Sequence, residues 1–110
     1  MNYKLHITGK AQQDLVEAAD YIEFILYNPT AADALLEEAG AEFHSLTFMP
    51  EKHALAEDPV LRVWGIRFIT VKNYLGFYTI DEEVGIVYVI RFLHSKREWA
   101  TLLRKGTDLK

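Results

Sequence analysis

The chain of 110 residues has no cysteine, only three prolines and no apolar run as long as the roughly 20 residues that span a bilayer. Without cysteine it can form no disulfide, no thiolate zinc site and no cysteine nucleophile. Because Met1 is followed at once by a strand pattern, we expect no signal peptide, no membrane segment and a cytoplasmic location. Half of the residues are apolar and a quarter are charged, which is typical of one globular domain, here residues 1–110.

Charge is divided unevenly along the chain. From Val60 onward there are nine Lys and Arg against five Asp and Glu, a balance of +4, whereas residues 1–59 hold three against eleven, a balance of −8. The acidic total argues against nonspecific nucleic-acid binding, but the basic second part leaves a specific site open. The sequence is therefore a charge dipole, and its basic second half suits an acidic or amphipathic partner.

The first half of the chain predicts a strand followed by a helical hairpin. Apolar and polar residues alternate from Tyr3 to Ile7, as in a half-buried strand near a sheet edge. Residues 10–47 carry apolar residues at helical spacing and are divided by Asn28-Pro29, a pair suited to cap and start a second helix. The stripes predicted to be buried are Leu15, Ala18, Ala19, Ile22, Ile25 and Leu26, then Ala32, Leu35, Leu36, Ala39, Phe43 and Leu46.

The second half predicts three strands and a short last helix. After a loop over residues 49–61, residues 63–70, 74–80 and 86–92 are rich in β-branched and aromatic residues. Short polar breaks separate these segments, so we expect antiparallel hairpins, with the last strand central in the sheet. Residues 98–103 predict the final helix. The fold class is α+β, in the order β-α-α-β-β-β-α, with a curved antiparallel sheet and the helical hairpin packed on one face.

This order of elements resembles the RelE/ParE superfamily of bacterial toxins over the chain from Tyr3 to Leu103. The most specific piece is the run VIRFLHSKREW, from Val89 to Trp99, in which an apolar strand ends in a histidine followed by basic residues. The resemblance implies the toxin of a type II toxin–antitoxin module, neutralised by a cognate antitoxin protein and needing no cofactor. ParE-like members bind DNA gyrase and stall it, whereas RelE-like members enter the ribosome and cut mRNA.

A ribonuclease that works without a metal needs a general base, a general acid and cations near the phosphate. The resemblance places Arg67 and Arg97 at expected basic positions and leaves His94 as the only obvious acid–base group. Leu75 and Leu103 stand where the ribonucleases carry an arginine and a tyrosine, and leucine supplies neither charge nor a proton. We therefore favour a ParE-like toxin that inhibits gyrase. The alternatives are a ribosome-dependent endoribonuclease and a non-toxic member that only binds an antitoxin.

Several of these residues also have a structural interpretation. His94 is typical of a histidine that bonds the backbone at the end of a strand. Arg91 lies in an apolar strand and favours an ion pair with an acidic residue across the sheet, because a buried arginine must be paired. The basic residues after the strand suit either a solvated face or a partner contact. No histidine spacing indicates a metal site. The residues predicted to contact a partner are Arg91, Lys96, Arg97, Arg104 and Lys105.

Overall fold

The computed structural model describes residues 2–105, and it confirms the predicted class and order of the main elements. No helix within these residues is long and apolar enough to cross a bilayer. The elements are β1 (Lys4–Ile7), α1 (Gly9–Asp20), a π-helical turn (Tyr21–Ile25), α2 (Pro29–Ser45), a 3₁₀ turn (Pro50–Lys52), α3 (Pro59–Val63), β2 (Arg67–Val71), β3 (Tyr74–Asp81), β4 (Ile86–His94) and α4 (Trp99–Arg104).

The four strands form one mixed sheet in the order β1-β4-β3-β2. β4 is central and β1 lies at an edge, as predicted, and β2, β3 and β4 are antiparallel. β1 runs parallel to β4, pairing Ile7 with Val89, so the expectation of a wholly antiparallel sheet is wrong for this strand. A tight turn fixes antiparallel pairing only for the two strands that it joins. Since most of the chain separates β1 from β4, the sequence does not fix their relative direction.

Helices cover both faces of the sheet. The hairpin of α1 and α2 packs on one face, where the ring of Phe43 lies so close to β3 that a Cβ added at Gly76 would come within 2.6 Å of it. α3 and α4 pack on the other face. The core cluster between these two helices and the sheet consists of Ala56, Leu61, Ile66, Phe77, Ile90, Leu93 and Leu103.

A short helix occupies the end of the segment that was predicted as a loop. The side chain of Asp58 accepts a hydrogen bond from the Leu61 N–H at 3.2 Å, and Pro59 begins the helix. An acidic cap followed by proline is a signal for a helix start. Because α3 continues to Val63, the next strand begins at Arg67 rather than at Val63.

The buried stripes of the hairpin differ from the prediction at three residues. On α2, Leu35 is buried at 1 % exposure, but Leu36 is 41 % exposed because adjacent helical residues lie on different sides. Ile25 and Leu26 are also exposed. They follow the π-helical turn, in which the Leu26 N–H bonds the Tyr21 carbonyl, five residues back, at 3.1 Å. This wider turn breaks the α-helical period that the prediction assumed.

A buried ion pair attaches α1 to β4. The Arg91 Nε and Nη2 atoms donate to Asp14 Oδ2 and Oδ1 at 2.6 and 3.1 Å. The Phe92 N–H donates to the same Asp14 Oδ2 at 3.0 Å. Arg91 is therefore paired with an acidic residue as predicted, although that residue lies on α1 and not across the sheet. At 7 % exposure, Arg91 is part of the core, and the prediction that it contacts a partner is corrected.

A β-bulge interrupts β4 immediately before Arg91. The pairing with β3 shifts between Phe77 and Tyr78, which leaves one extra residue, Ile90, on β4. Regular strands place successive side chains on opposite faces. Past the bulge, Arg91 contacts α1 and Phe92 joins the core beneath the hairpin. The bulge thus breaks the regular alternation of side chains along β4.

Asp14 also takes the place of a missing strand neighbour. β1 ends at Ile7, well before the end of β4. The Thr8 hydroxyl then donates to the Ile90 carbonyl at 3.3 Å, and Asp14 accepts the Phe92 N–H. Buried backbone groups need such partners. The side chains of Thr8, which caps α1, and of Asp14 in the middle of that helix therefore satisfy the backbone of β4 where the sheet has no further strand.

Leu35→Ala and Leu36→Ala test the orientation of α2 as a matched pair. Leu35→Ala should lower the free energy of unfolding by about 2–5 kcal/mol, because it empties a buried site. Leu36→Ala should change it by less than about 0.5 kcal/mol, as for other exposed substitutions. Urea unfolding followed by circular dichroism measures both values, and equal losses would show that the helix is oriented differently.

Asp14→Ala tests the buried ion pair. It leaves a buried guanidinium and a buried N–H without their acceptor, so the free energy of unfolding should fall by about 3–5 kcal/mol. The double variant Asp14→Leu/Arg91→Met should be more stable than Asp14→Ala, since it removes the unpaired charge. Urea unfolding at neutral pH compares the three proteins. If Asp14→Ala costs less than about 1 kcal/mol, the pair does not hold α1 on the sheet.

Candidate functional site

A cleft of about 420 Å³ opens where the end of α1 passes the ends of β3 and β4. The helix side of the cleft contributes Glu17 and Tyr21. The sheet side contributes Tyr74, His94 and Arg97. Asp14 lies at its base, so the buried ion pair fixes the distance between the two walls.

Aromatic stacking builds the sheet side of the cleft. The rings of Tyr74 and Phe92 are stacked, with centroids 5.0 Å apart and an interplanar angle of 4°. The His94 ring meets Tyr74 edge-on at 5.2 Å. Burial, and secondarily the nearby Tyr21 hydroxyl, raise the pKa of Tyr74. Its phenol is therefore protonated at neutral pH and can donate a hydrogen bond.

His94 organises the turn that follows β4. Its Nδ1 accepts a hydrogen bond from the Lys96 N–H at 3.2 Å, and its carbonyl accepts one from the Arg97 N–H at 3.0 Å. The Ser95 N–H donates to the Asn73 carbonyl at 2.9 Å, which ties this turn to the turn between β2 and β3. With Nδ1 as an acceptor, the neutral imidazole carries its proton on Nε2. The backbone contact that the structural interpretation expected is present.

Two of the three candidate catalytic residues line this cleft, and the third does not. His94 and Arg97 lie together, on either side of the turn after β4. Arg67 lies at the start of β2, level with Tyr78. That position is four residues along β3 from Tyr74, or about 13 Å at 3.3 Å per residue.

Arg67 also has a structural role of its own. Its Nη1 donates to the carbonyls of Glu51 and His53 at 3.1 and 2.6 Å. These bonds fasten the 3₁₀ turn to the edge of the sheet. Burial, together with the nearby charges of Lys52 and then Arg67, lowers the pKa of His53. The two hydrogen bonds of the Arg67 guanidinium thus hold it against the loop, away from the cleft.

The other predicted partner residues divide between two places. Lys96 is exposed beside Arg97 at the rim of the cleft. Arg104 lies on α4, on the opposite face of the sheet, where its guanidinium pairs with Asp58 at the start of α3. This hydrogen bond holds the pKa of the Asp58 carboxyl below its usual value. Lys105 is exposed at the end of α4. The basic residues thus do not form one continuous patch with the cleft.

Three further residues that line the cleft were not predicted from the sequence: Glu17, Tyr21 and Tyr74. Glu17 lies among the polar residues between the apolar positions of α1, and Tyr21 follows it by one turn. Tyr74 has a strand period and resembles an ordinary packing residue. No short motif marks any of them, because the cleft depends on where α1 crosses the sheet.

The cleft combines aromatic rings with charges of both signs, which suits a peptide segment better than a phosphate chain. Aromatic rings supply apolar contact area and polar groups that orient a ligand. A carboxylate such as Glu17 would repel a nearby phosphate. Within residues 2–105 no group of three or more His, Cys, Asp or Glu could hold a metal ion.

The described fold matches known proteins of one superfamily. The family model described as the ParE toxin of the type II toxin–antitoxin system parDE matches residues 5–99. No curated protein sequence matches the chain at a significant level.

Three solved structures of toxins illustrate the likeness of the fold. The chromosomal ParDE system from P. aeruginosa has a TM-score of 0.69 and 18 % identity, covering 86 % of this chain and 97 % of that one. The RelBE2 complex of Mycobacterium tuberculosis gives 0.58 and 23 %, covering 86 % and 92 %. A free mutant of the E. coli RelE toxin gives 0.62 and 15 %, covering 96 % and 100 %.

These structural likenesses support the fold alone, whereas the family model spans most of the chain. The predicted superfamily is confirmed. The chain belongs to the ParE toxin family of type II toxin–antitoxin systems.

Proposed function

We propose that this toxin acts in the ParE-like manner, by binding DNA gyrase and inhibiting it, and that a cognate antitoxin neutralises it. The observation that carries the proposal is the surroundings of Leu75 and Leu103. At these two positions the resemblance to RelE-like ribonucleases would require an arginine and a tyrosine.

Both leucines belong to the apolar layer between α4 and the sheet. Leu103 is buried at 1 % exposure, and Leu75 packs against the same cluster. A charged or proton-donating side chain has no place in that layer without a partner. Arg67 is a third position that the resemblance assigns to the ribonuclease site, and its guanidinium donates instead to the backbone carbonyls of Glu51 and His53. Three of the positions that the resemblance assigns to the ribonuclease site are therefore apolar or engaged elsewhere.

A second candidate function is a ribosome-dependent endoribonuclease of the RelE type. It is supported by the cleft, which brings His94 and Arg97 together beside two tyrosines. His94 Nε2 could donate a proton to a leaving oxygen, and Arg97 could stabilise charge on a phosphate. The carboxylate of Glu17 in the same cleft argues against this function, because it would repel the phosphate of the RNA. A non-toxic chain that only binds an antitoxin is the third alternative.

Parallel assays separate the first two functions. With purified gyrase, relaxed plasmid and ATP, the parent toxin should inhibit supercoiling or accumulate cleaved DNA. In a translating extract it should leave ribosome-bound mRNA intact. Under the ribonuclease alternative, the parent would cut mRNA and His94→Ala would reduce the rate by about 10²–10⁴-fold.

His44→Ala is the matched control for the histidine, because His44 is exposed on α2 and away from the cleft. Cutting of mRNA that is lost in His94→Ala and kept in His44→Ala would contradict the ParE-like proposal. Silence in both assays, with a tight antitoxin complex, would favour the non-toxic alternative.

Lys96 and Arg97 form the basic rim of the cleft, and we expect an acidic or amphipathic segment of the antitoxin to contact it. The double variant Lys96→Glu/Arg97→Glu should weaken the complex and reduce the dependence of its affinity on salt. The control is Lys4→Glu/Lys10→Glu, an equal charge change at two exposed positions in the acidic half. Calorimetry at several salt concentrations measures both. An affinity and salt slope equal to the parent's would remove this rim from the interface.

A further inference from the structure

A large apolar surface lies exposed where α1 turns into α2. In the seven residues from Tyr21 to Tyr27, five large apolar side chains are solvent-exposed, among them Phe24 at 61 % and Tyr27 at 86 %. Contiguous apolar surface of this kind marks an interaction site more often than scattered single residues do. We call the five residues the hairpin tip: Tyr21, Phe24, Ile25, Leu26 and Tyr27.

We propose that the hairpin tip is the docking surface for a segment of the target protein that is apolar on one side and rich in Lys and Arg on the other. The inference rests on the proposed function only in naming the target as the owner of that segment. The docking surface itself follows from exposure, charge and an adjoining groove.

The backbone exposes these side chains in a way that packing does not require. The π-helical turn closes with the Leu26 N–H to the Tyr21 carbonyl and continues with the Asn28 N–H to the Ile22 carbonyl at 3.0 Å. Insertions of this type recur at functional sites. Tyr27 then adopts a left-handed conformation, with φ of 54°. Glycine or asparagine usually occupies such a position after a helix, so folding alone would not select an exposed tyrosine.

The charge around the tip defines the chemistry of the partner. Residues 11–45 contain eight Asp and Glu and no Lys or Arg. Asp14 is paired with Arg91, and Glu38 with Lys72. Within residues 2–105, no ion pair forms to the acidic residues nearest the tip, which are Glu17, Asp20 and Glu23. Their uncompensated charge favours a basic partner and opposes nucleic acid.

The same charge argues against a second copy of this chain as the occupant. A symmetric contact between two tips would bring the acidic residues of two hairpins close together, and their like charges would repel each other. Self-association is therefore the outcome that the experiment must exclude.

A groove beside the tip offers a place for one anchoring side chain. It has a volume of about 330 Å³ and lies between the tip and the turn that joins β2 to β3. Ile22, Leu26, Leu35 and Tyr74 supply apolar walls, and Lys72 lies at its margin. An amphipathic helix laid across the tip would insert a leucine or phenylalanine into this groove, in the helix-in-groove mode of recognition.

Two designed peptides serve as probes. Both are amphipathic helices of equal length with leucines on one side, and the other side carries lysines in the first peptide and glutamates in the second. Calorimetry with the full-length toxin should show that the lysine peptide binds at least about tenfold more tightly, a difference of about 1.4 kcal/mol.

The variant Phe24→Ala/Tyr27→Gly should bind the lysine peptide about tenfold more weakly than the parent. Its fold should persist, because glycine accommodates the left-handed conformation at position 27. The matched control is Met49→Gly/Val63→Ala. Met49 is exposed, apolar and left-handed, with φ of 51°, and Val63 is 85 % exposed. Met49 follows α2, whose 17 residues span about 25 Å, so it lies far from the tip.

The control should keep the parent's affinity within about twofold, and thermal unfolding should show that both variants are folded. No binding of either peptide, equal binding of both, or an equal loss in the control would overturn the proposal. So would sedimentation that shows self-association of the parent lost in the tip variant.

A gyrase assay with the same variants separates this inference from the proposed function. If the parent inhibits gyrase, the tip variant should inhibit it at least tenfold more weakly. Full inhibition by the tip variant would overturn the docking proposal and leave the proposed function standing. Peptide binding at the tip, with no gyrase inhibition by the parent, would instead refute gyrase as the target.

Discussion

The carboxylate of Asp14 is the contact on which the rest of the structure depends. It binds the Arg91 guanidinium through two oxygens and accepts the Phe92 N–H, all in a buried setting. Since β1 stops at Ile7, no strand is available to do this for the end of β4. One side chain of α1 therefore fixes the position of the helix, and with it both walls of the cleft and the direction in which the hairpin tip extends.

The arrangement gives the toxin two surfaces of different character. The rim of the cleft, at Lys96 and Arg97, is basic, whereas the hairpin tip is apolar and surrounded by acidic residues. A basic and an acidic surface on one small protein suit two different partner chains, since each repels the chemistry that the other attracts. Such a division fits the proposed roles, in which the antitoxin contacts the basic rim and the target contacts the hairpin tip.

Local patterns were enough to predict much of the fold, but not what depends on distant contacts. The order of elements, the edge position of β1 and the central position of β4 all follow from periodicity and turn residues. The direction of β1 and the π-helical turn do not, whereas the helix at Pro59–Val63 has a local signal, the cap at Asp58 followed by Pro59, that the prediction did not use. The apolar stripe of α2 shows the limit of such patterns. It was predicted correctly except for Leu36, which is adjacent to the buried Leu35 but is exposed.

The site was predicted in part, for the same reason. His94 and Arg97 are close in sequence, so one local motif found both, while Arg67 lies two strands away, level with Tyr78. Pairing of Arg91 was expected from its apolar surroundings, but its partner could not be, because Asp14 lies on α1, far from Arg91 in the sequence. Glu17 and Tyr21 enter the cleft only through the crossing of α1 over the sheet, which no local pattern records.

Amide hydrogen exchange of the toxin, alone and bound to gyrase, tests most directly the claim that it acts by binding through a hairpin held rigidly on β4. Exchange at residues 21–28 should slow on addition of gyrase. The Phe92 amide should be protected in both states, because Asp14 already accepts a hydrogen bond from its N–H. Slowing confined to residues 94–97, or fast exchange of the Phe92 amide in the free toxin, would contradict the account.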